Sequence, residues 1–378
     1  MSLRYTGAWL QDGAFNPLVT PPPPTYTYNL YSWGFGSGGR LGLGNNTNYS
    51  SPKQVGALIN WKKAAPTYIS FSAIKTDGTL WSWGSTPNGQ LGLGNGTNYS
   101  SPMQVGALTN WLSIASGWYH VLATKTDGTL WTWGGNASGQ LGNGLVANVS
   151  SPIQIGALTN WSVCDGAYQS SCAVKTDGTL WTWGRNQYGQ LGLGNTTNYS
   201  SPKQVGALTN WLKVSSGGYY TAVYAIKTDG TLWSWGANAQ GQLGLGNTTN
   251  YSSPKQVGAL TTWLNVVAGS YFGLAIKTDG TLWSWGTNGN GELGLGNNTQ
   301  YNSPKQVGAL TNWLSVSAFY NSVASVKTNG TLWTWGTNNY GQLGLGDTTV
   351  RSSPTQVGSL TTWGEPFAGW QSTLALQY

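Results

Sequence analysis

The sequence predicts an all-β fold, a seven-bladed β-propeller of four-stranded antiparallel blades closed by pairing of its N- and C-terminal strands. Three observations carry that prediction. An anchor of the form Leu-x-x-Trp-Gly recurs at residues 30–34, 80–84, 130–134, 180–184, 232–236, 282–286 and 332–336, every step being 50 residues except one of 52. A fixed period of this length marks supersecondary units that each need a neighbour to bury their apolar face. Within a unit, short β-prone runs alternate with Gly, Asn, Asp and Ser, without helical periodicity. Finally, the first unit begins in its middle, near residue 26, while Leu374-Ala375-Leu376 aligns with Leu274-Ala275-Ile276 just before a hairpin. The half missing at one end is present at the other, so the terminal strands are expected to share a blade and remove the open sheet edges.

The elements follow in order. In the unit 111–160, residues 111–115 and 120–126 read as strands. Asp127-Gly128 reads as a tight two-residue turn with both central residues at positive φ. Residues 130–133 form the next strand, Gly139-Gln140-Leu141-Gly142 turns the chain, and 152–158 is the fourth extended piece. Two segments result: 1–24, an N-terminal anchor peptide with a spacer, and 25–378, the propeller. The prolines at 21–24 make the spacer stiff and extended. Tyr5, Trp9, Leu10, Phe15 and Leu18 make the head too apolar for a solvated tail. It either folds back on the repeats or docks on another protein, and its place before a stiff spacer favours docking.

Composition removes several function classes. Charged residues are only 7% of the chain, but aromatics reach 13%, enough apolar surface for a core rather than disorder. All of the 23 tryptophans except Trp9, Trp118 and Trp370 fall at repeating positions, so most are expected in the core. The net charge of +7 comes from lysines that recur singly, only Lys62 and Lys63 being adjacent, whereas nucleic-acid affinity needs clustered cations. Lys53, Lys203, Lys255 and Lys305 share one repeat position and would at most draw a polyanion weakly. Cys164 and Cys172 read as buried thiols, with a cross-strand disulfide left open. No basic stretch precedes an apolar run at the N-terminus and no segment approaches 18 apolar residues, so neither a signal peptide nor membrane insertion is expected.

Ala115-Ser116-Gly117-x-x-His120-x-Leu122-Ala123, then Asp127-Gly128-x-Leu130-x-x-Trp133-Gly134, then Gly139-Gln140-Leu141-Gly142-x-Gly144 resembles the regulator-of-chromosome-condensation repeat, of the kind found in phage or bacterial proteins. The resemblance runs through everything after about residue 26 and implies a seven-bladed propeller, the count already made. The family's founding members exchange nucleotide on a small GTPase with a protruding wedge, and hold chromatin through a basic tail. Here the longest insertion in a repeat is two residues, in 211–230, and the N-terminal extension has Arg4 but no lysine. Both departures argue against exchange and chromatin binding. The repeat's histidine position is also kept only at His120, with Ser70, Ser170, Phe272 and Ser322 elsewhere.

Catalytic constellations are lacking. The single histidine, His120, cannot make the usual metal cluster, and no other histidine is present to serve as a general base. The aspartates Asp77, Asp127, Asp177, Asp229 and Asp279 recur in the hairpin and become Asn329 in the sixth unit, which a turn tolerates and acid chemistry does not. The run 34–39 matches a dinucleotide fingerprint by letter, but no helix follows. Asn-x-Ser/Thr triplets such as 48–50 read as polar turns rather than glycan acceptors. No catalytic residue, metal or cofactor is therefore expected, and the protein is read as a non-enzyme.

The candidate site lies where the repeats disagree. Seven residues before the hairpin lysine stand Tyr68, Trp118, Tyr168, Ser270 and Tyr320, with Trp370 in the matching C-terminal place. Tyr119, His120, Tyr271 and Phe272 neighbour them, and the longer loop adds Tyr219 and Tyr220. Equivalent loops gather on one propeller face, so these side chains are expected to ring the channel mouth and offer flat contact area to carbohydrate or protein. The competing role is packing between blades. The resulting expectation is a structural and binding module, a virion appendage or capsid-decorating protein at the virion surface. Its head would hold a virion or other structural protein and its loop face would hold host-surface glycan or another virion protein. The alternative is a cytoplasmic or extracellular scaffold for a protein partner.

Overall fold

Four short strands close each unit because a β-prone run of six residues can bury both faces only between two like neighbours. In the computed structural model, which describes residues 28–218 and 221–378, blade 1 consists of Trp61–Pro66, Ser70–Lys75, Leu80–Gly84 and Tyr99–Gln104, antiparallel in that order. Blades 2 to 6 repeat it over 111–154, 161–204, 211–256, 263–306 and 313–356. Blade 7 takes Trp363–Ala368 and Ser372–Gln377 from one end of the chain and Asn29–Gly34 and Tyr49–Ile59 from the other. The expected closure is therefore present: Ser372–Gln377 pairs with Asn29–Gly34 in unbroken register from Asn29↔Gln377 to Gly34↔Ser372. First strands of successive blades lie against one another all the way round, which makes them the innermost. The head residues Tyr5, Trp9, Leu10, Phe15 and Leu18, and with them the boundary at 24/25, lie outside the described residues, as do Tyr219 and Tyr220.

Two local expectations are corrected. In the hairpin only the glycine has positive φ (77° at Gly78), and Asp77 does not. Gly78 N–H donates to Lys75 O, and Lys75 N–H to Thr79 O, so the loop has three residues with glycine at the left-handed place. Aspartate is selected for another reason: Asp77 Oδ1 accepts the Thr79 N–H (3.0 Å) and hydroxyl (2.6 Å), and that hydroxyl accepts the Trp81 indole N–H at 2.9 Å. Asn329 replaces it with the same bonds to Thr331. The fourth strand of blade 2 is Val149–Gln154 rather than 152–158. Pro152 is tolerated because an outer strand has one partner only, and Gly156 at φ 63° turns the chain soon after.

The disulfide left open by the sequence is ruled out by the sheet. Cys164 packs between blades 2 and 3 with Leu122 and Trp183, Cys172 between blades 3 and 4 with Val214 and Trp235, so blade 3 itself separates the two thiols. Both are buried thiols outside any disulfide.

What joins blade to blade is one repeated contact. The second tryptophan of each Trp-x-Trp pair donates its indole N–H to a backbone carbonyl of the preceding blade: Trp83 to Arg40, Trp133 to Gln90, Trp183 to Gln140, Trp235 to Gln190, Trp285 to Gln242 and Trp335 to Glu292. Trp33 to Gln342, at 2.9 Å, completes the circle. The glycine two residues on makes room: a Cβ at Gly344 would lie 2.7 Å from Trp33 Nε1. Gly344→Ala should therefore cost at least about 3 kcal/mol, a left-handed alanine plus an overpacked indole. Gly358→Ala, at φ 59° with open space around it, should cost only about 1–2 kcal/mol. Urea unfolding of the two variants compares them, and equal losses would show that the indole contact contributes nothing. Deleting residues 371–378 should leave an aggregating protein without a cooperative melt, because it strips the partner from Asn29–Gly34.

Candidate functional site

Antiparallel blades send their loops to two ends. The first-to-second and third-to-fourth connections leave one end of the disc, and the Lys-Thr-Asp-Gly hairpins leave the other. At the hairpin end most of the positive charge is occupied. Lys125 Nζ lies 3.5 Å from the Trp131 ring centroid and Lys327 Nζ 3.4 Å from that of Trp333, with Lys175, Lys227 and Lys277 held alike. Burial lowers the pKa of all five. These lysines are wall material.

The opposite end gathers the aromatics. Tyr68 and Trp118 stack at 4.9 Å with 8° between planes, although 50 residues separate them. Trp370 leans on Tyr68 at 4.3 Å, and Tyr168 meets Trp118 edge-on at 5.1 Å. Tyr119 packs against Tyr68 and Tyr168. Backbone bonds tie the tips together: Tyr68 N–H donates to Trp118 O and Trp118 N–H to Ala167 O. Trp118 also contacts Phe319 of blade 6 at 6.3 Å, so the ring reaches over the channel mouth. Five of the expected residues, Trp370, Tyr68, Trp118, Tyr119 and Tyr168 from blades 7, 1, 2 and 3, thus form one continuous cluster, in which Trp118 is itself buried. Tyr320 is exposed (37%) and at φ 54°, and Tyr271 is half-buried.

Two candidates are corrected. His120 and Phe272 are the first residues of second strands and are 0% and 1% exposed, so neither meets a ligand. Strand alternation turns them into the blade interface, where His120 Nε2 lies 2.8 Å from Ser171 Oγ of blade 3. Burial pushes the imidazole down to about 3, leaving it neutral. Among the described residues no group of three or more His, Cys, Asp and Glu side chains gathers as metal ligands do.

Sequence reasoning missed five members of this face. Phe35 packs on Tyr340 (4.5 Å) and Trp370 (6.0 Å), which extends the cluster to blade 6, and Phe319 closes it across the mouth. Arg40 lies over Phe35 and Trp370, and Arg185 over Tyr168. A signal existed. Phe35 and Arg185 follow Trp-Gly where other units have Ser85, Gly135, Ala237, Thr287 and Thr337, and Arg40 replaces the glutamine of Gly-Gln-Leu-Gly.

These features define a class: seven-bladed propellers with an uninterrupted structural repeat and a non-repeating loop face. The chain belongs to the RCC1-like domain family, whose model matches residues 29–323, and the regulator of chromosome condensation (RCC1) repeat matches 329–376. No curated protein matches the chain by sequence. Among solved structures it is similar to Prp20p from Saccharomyces cerevisiae, at 20% identity and a TM-score of 0.84, over 93% of this chain and 92% of that one. It is also similar to human WBSCR16, at 19% identity and a TM-score of 0.82, over 93% and 98%. A structure of yeast RCC1 (Prp20) bound to Kap60 matches at 20% identity and 0.83, over 93% and 88%. At these identities the likeness is one of fold.

Beneath the cluster, on the inner strand of blade 3, Asp165 accepts N–H bonds from Gly166 (2.9 Å) and Ser216 (2.8 Å). Burial still raises its carboxyl from 3.8 to about 6. A carboxyl raised on folding binds its proton more tightly in the native state, so its contribution to stability is full below 3.8 and is lost as pH rises through about 6. Asp127 and the equivalent hairpin aspartates, lowered chiefly by the threonine hydroxyl, act oppositely and lose their contribution in acid. Asp165→Asn should therefore gain stability relative to the parent as pH rises from 3.8 to about 6, then hold a constant difference. Melting curves across that range check it; a difference independent of pH would mean that Asp165 titrates as an ordinary carboxylate.

Proposed function

We propose that the chain is a non-enzymatic binding module that holds a protein partner on its aromatic loop face. The observation that carries this reading is the continuous cluster Tyr340–Phe35–Trp370–Tyr68–Trp118–Tyr168, built from residues that the repeat does not require. The repeated indole joints that connect the seven blades do not use it. Aromatic residues with arginine at their margin are the composition of protein-binding hot spots. Carbohydrate is the less suited ligand, because the Tyr68 and Trp118 ring faces are spent on each other. Structures of similar shape include one of yeast RCC1 with Kap60 and one reported with binding properties to Gsp1p and histones. On our reading the partner is a structural protein, and the apolar head before its proline spacer attaches the module to a particle, the virion surface being the location proposed.

A photo-crosslinking residue placed at Tyr320 or Tyr168 in the full chain should yield a discrete protein adduct in the native source. The same residue at Leu208, which is exposed between hairpin-end turns, should not. Equal adducts from both ends, or glycan-array binding that survives Tyr168→Ala, would overturn the protein-binding reading. Imaging of the source tests the location, since protein found only in soluble fractions contradicts particle display.

A further inference from the structure

Arg40 breaks the repeat in a way that the fold does not need. At its position five units carry Gln90, Gln140, Gln190, Gln242 and Gln342, and one carries Glu292. Each of those side chains turns back to accept a backbone N–H two residues earlier, from Asn88, Ser138, Tyr188, Gln240, Tyr340 and Asn290. Arginine cannot accept, so blade 7 gives that bond up. Instead Arg40 Nε donates to Ser37 O (3.0 Å), one terminal nitrogen donates to Tyr68 O (3.1 Å), and the guanidinium lies 4.7 Å from the Phe35 centroid and 5.2 Å from that of Trp370.

The residue is 5% exposed, yet among the described residues no carboxylate pairs with it, and its other terminal nitrogen has no protein acceptor. The carboxylates at this end are already engaged: Asp347 with Arg351 at 2.6 Å, Glu292 buried on the Asn290 N–H, and Asp165 on two backbone donors. Burying a cation is costly unless it is paired, and burial already lowers the Arg40 pKa to about 10. Aromatic walls exclude water on two sides and strengthen whatever charge meets the guanidinium edge. A planar fork with an unused donor is shaped for a carboxylate.

We propose that Arg40, framed by Phe35, Trp370 and Tyr68, is the specificity pocket of the aromatic face and receives an aspartate or glutamate side chain of the protein partner. The proposal rests on the protein-binding reading of that face. An acidic partner also suits the positive charge of the chain, since the face presents Arg40 and Arg185 and no unengaged carboxylate among the described residues.

The test uses the full chain, a fluorescein-labelled decapeptide of alternating Glu and Gly, and its twin with Gln for Glu. Fluorescence anisotropy should show the Glu peptide binding at least about tenfold tighter than the twin, the scale of one charge-assisted hydrogen bond. Arg40→Gln should abolish that preference with its melting temperature held, since glutamine is the fold's own residue at this position. Arg351→Gln should retain the preference. Equal binding of the two peptides, or a preference that survives Arg40→Gln, overturns the proposal. If both peptides then lose binding on Trp370→Ala, the face still binds peptide and only the carboxylate assignment falls. If Trp370→Ala and Tyr168→Ala change nothing, the face reading falls with it.

Discussion

One contact carries the architecture: an indole N–H of each blade reaching a backbone carbonyl of the blade before it, over a glycine that has no side chain to obstruct it. A blade of four short strands is too small to stand alone, so stability resides in the joints between blades. The indole joins two blades with one buried hydrogen bond and a large apolar body, and a parallel backbone bond reinforces it, as from Gly94 N–H to Ser150 O. Because the seventh indole, Trp33, bonds Gln342 from the far end of the chain, no blade is left with an unpaired face. This constraint accounts for the narrow choice of Trp and Gly in every unit.

The constraint also explains where the chain is free to vary. Glycine, tryptophan, the hairpin aspartate and the stacked lysine are each held by named partners, so their abundance reports on packing. The loops at the channel mouth carry fewer such obligations. There the units diverge, and the divergent residues meet: a tyrosine of blade 1 stacks on a tryptophan of blade 2 and touches Trp370 of blade 7, over whose ring lies Arg40.

Much of the fold was legible in the chain, and less of the site. The blade count, the shared closing blade and the tryptophan core follow from periodicity, because each is a local pattern repeated. The hairpin was misread in geometry though not in position, since the letters Asp-Gly do not reveal that the aspartate oxygen, rather than its backbone, makes the turn. His120 and Phe272 were misplaced because strand parity decides which side of a loop residue faces out, and a single residue separates Tyr119 from the blade interface.

By itself, then, the sequence determined how many units there are, how they close, and which residues form the wall, because those depend on contacts repeated at a constant spacing. Only the tertiary structure decided which variable residues act together. Stacking of Tyr68 on Trp118 and the tilted packing of Phe35 on Tyr340 depend on the radial placement of loops from different blades, and no spacing along the chain encodes them. The same holds for Arg40, an ordinary surface cation by its letter, which the ring of blades converts into a buried guanidinium between aromatic walls.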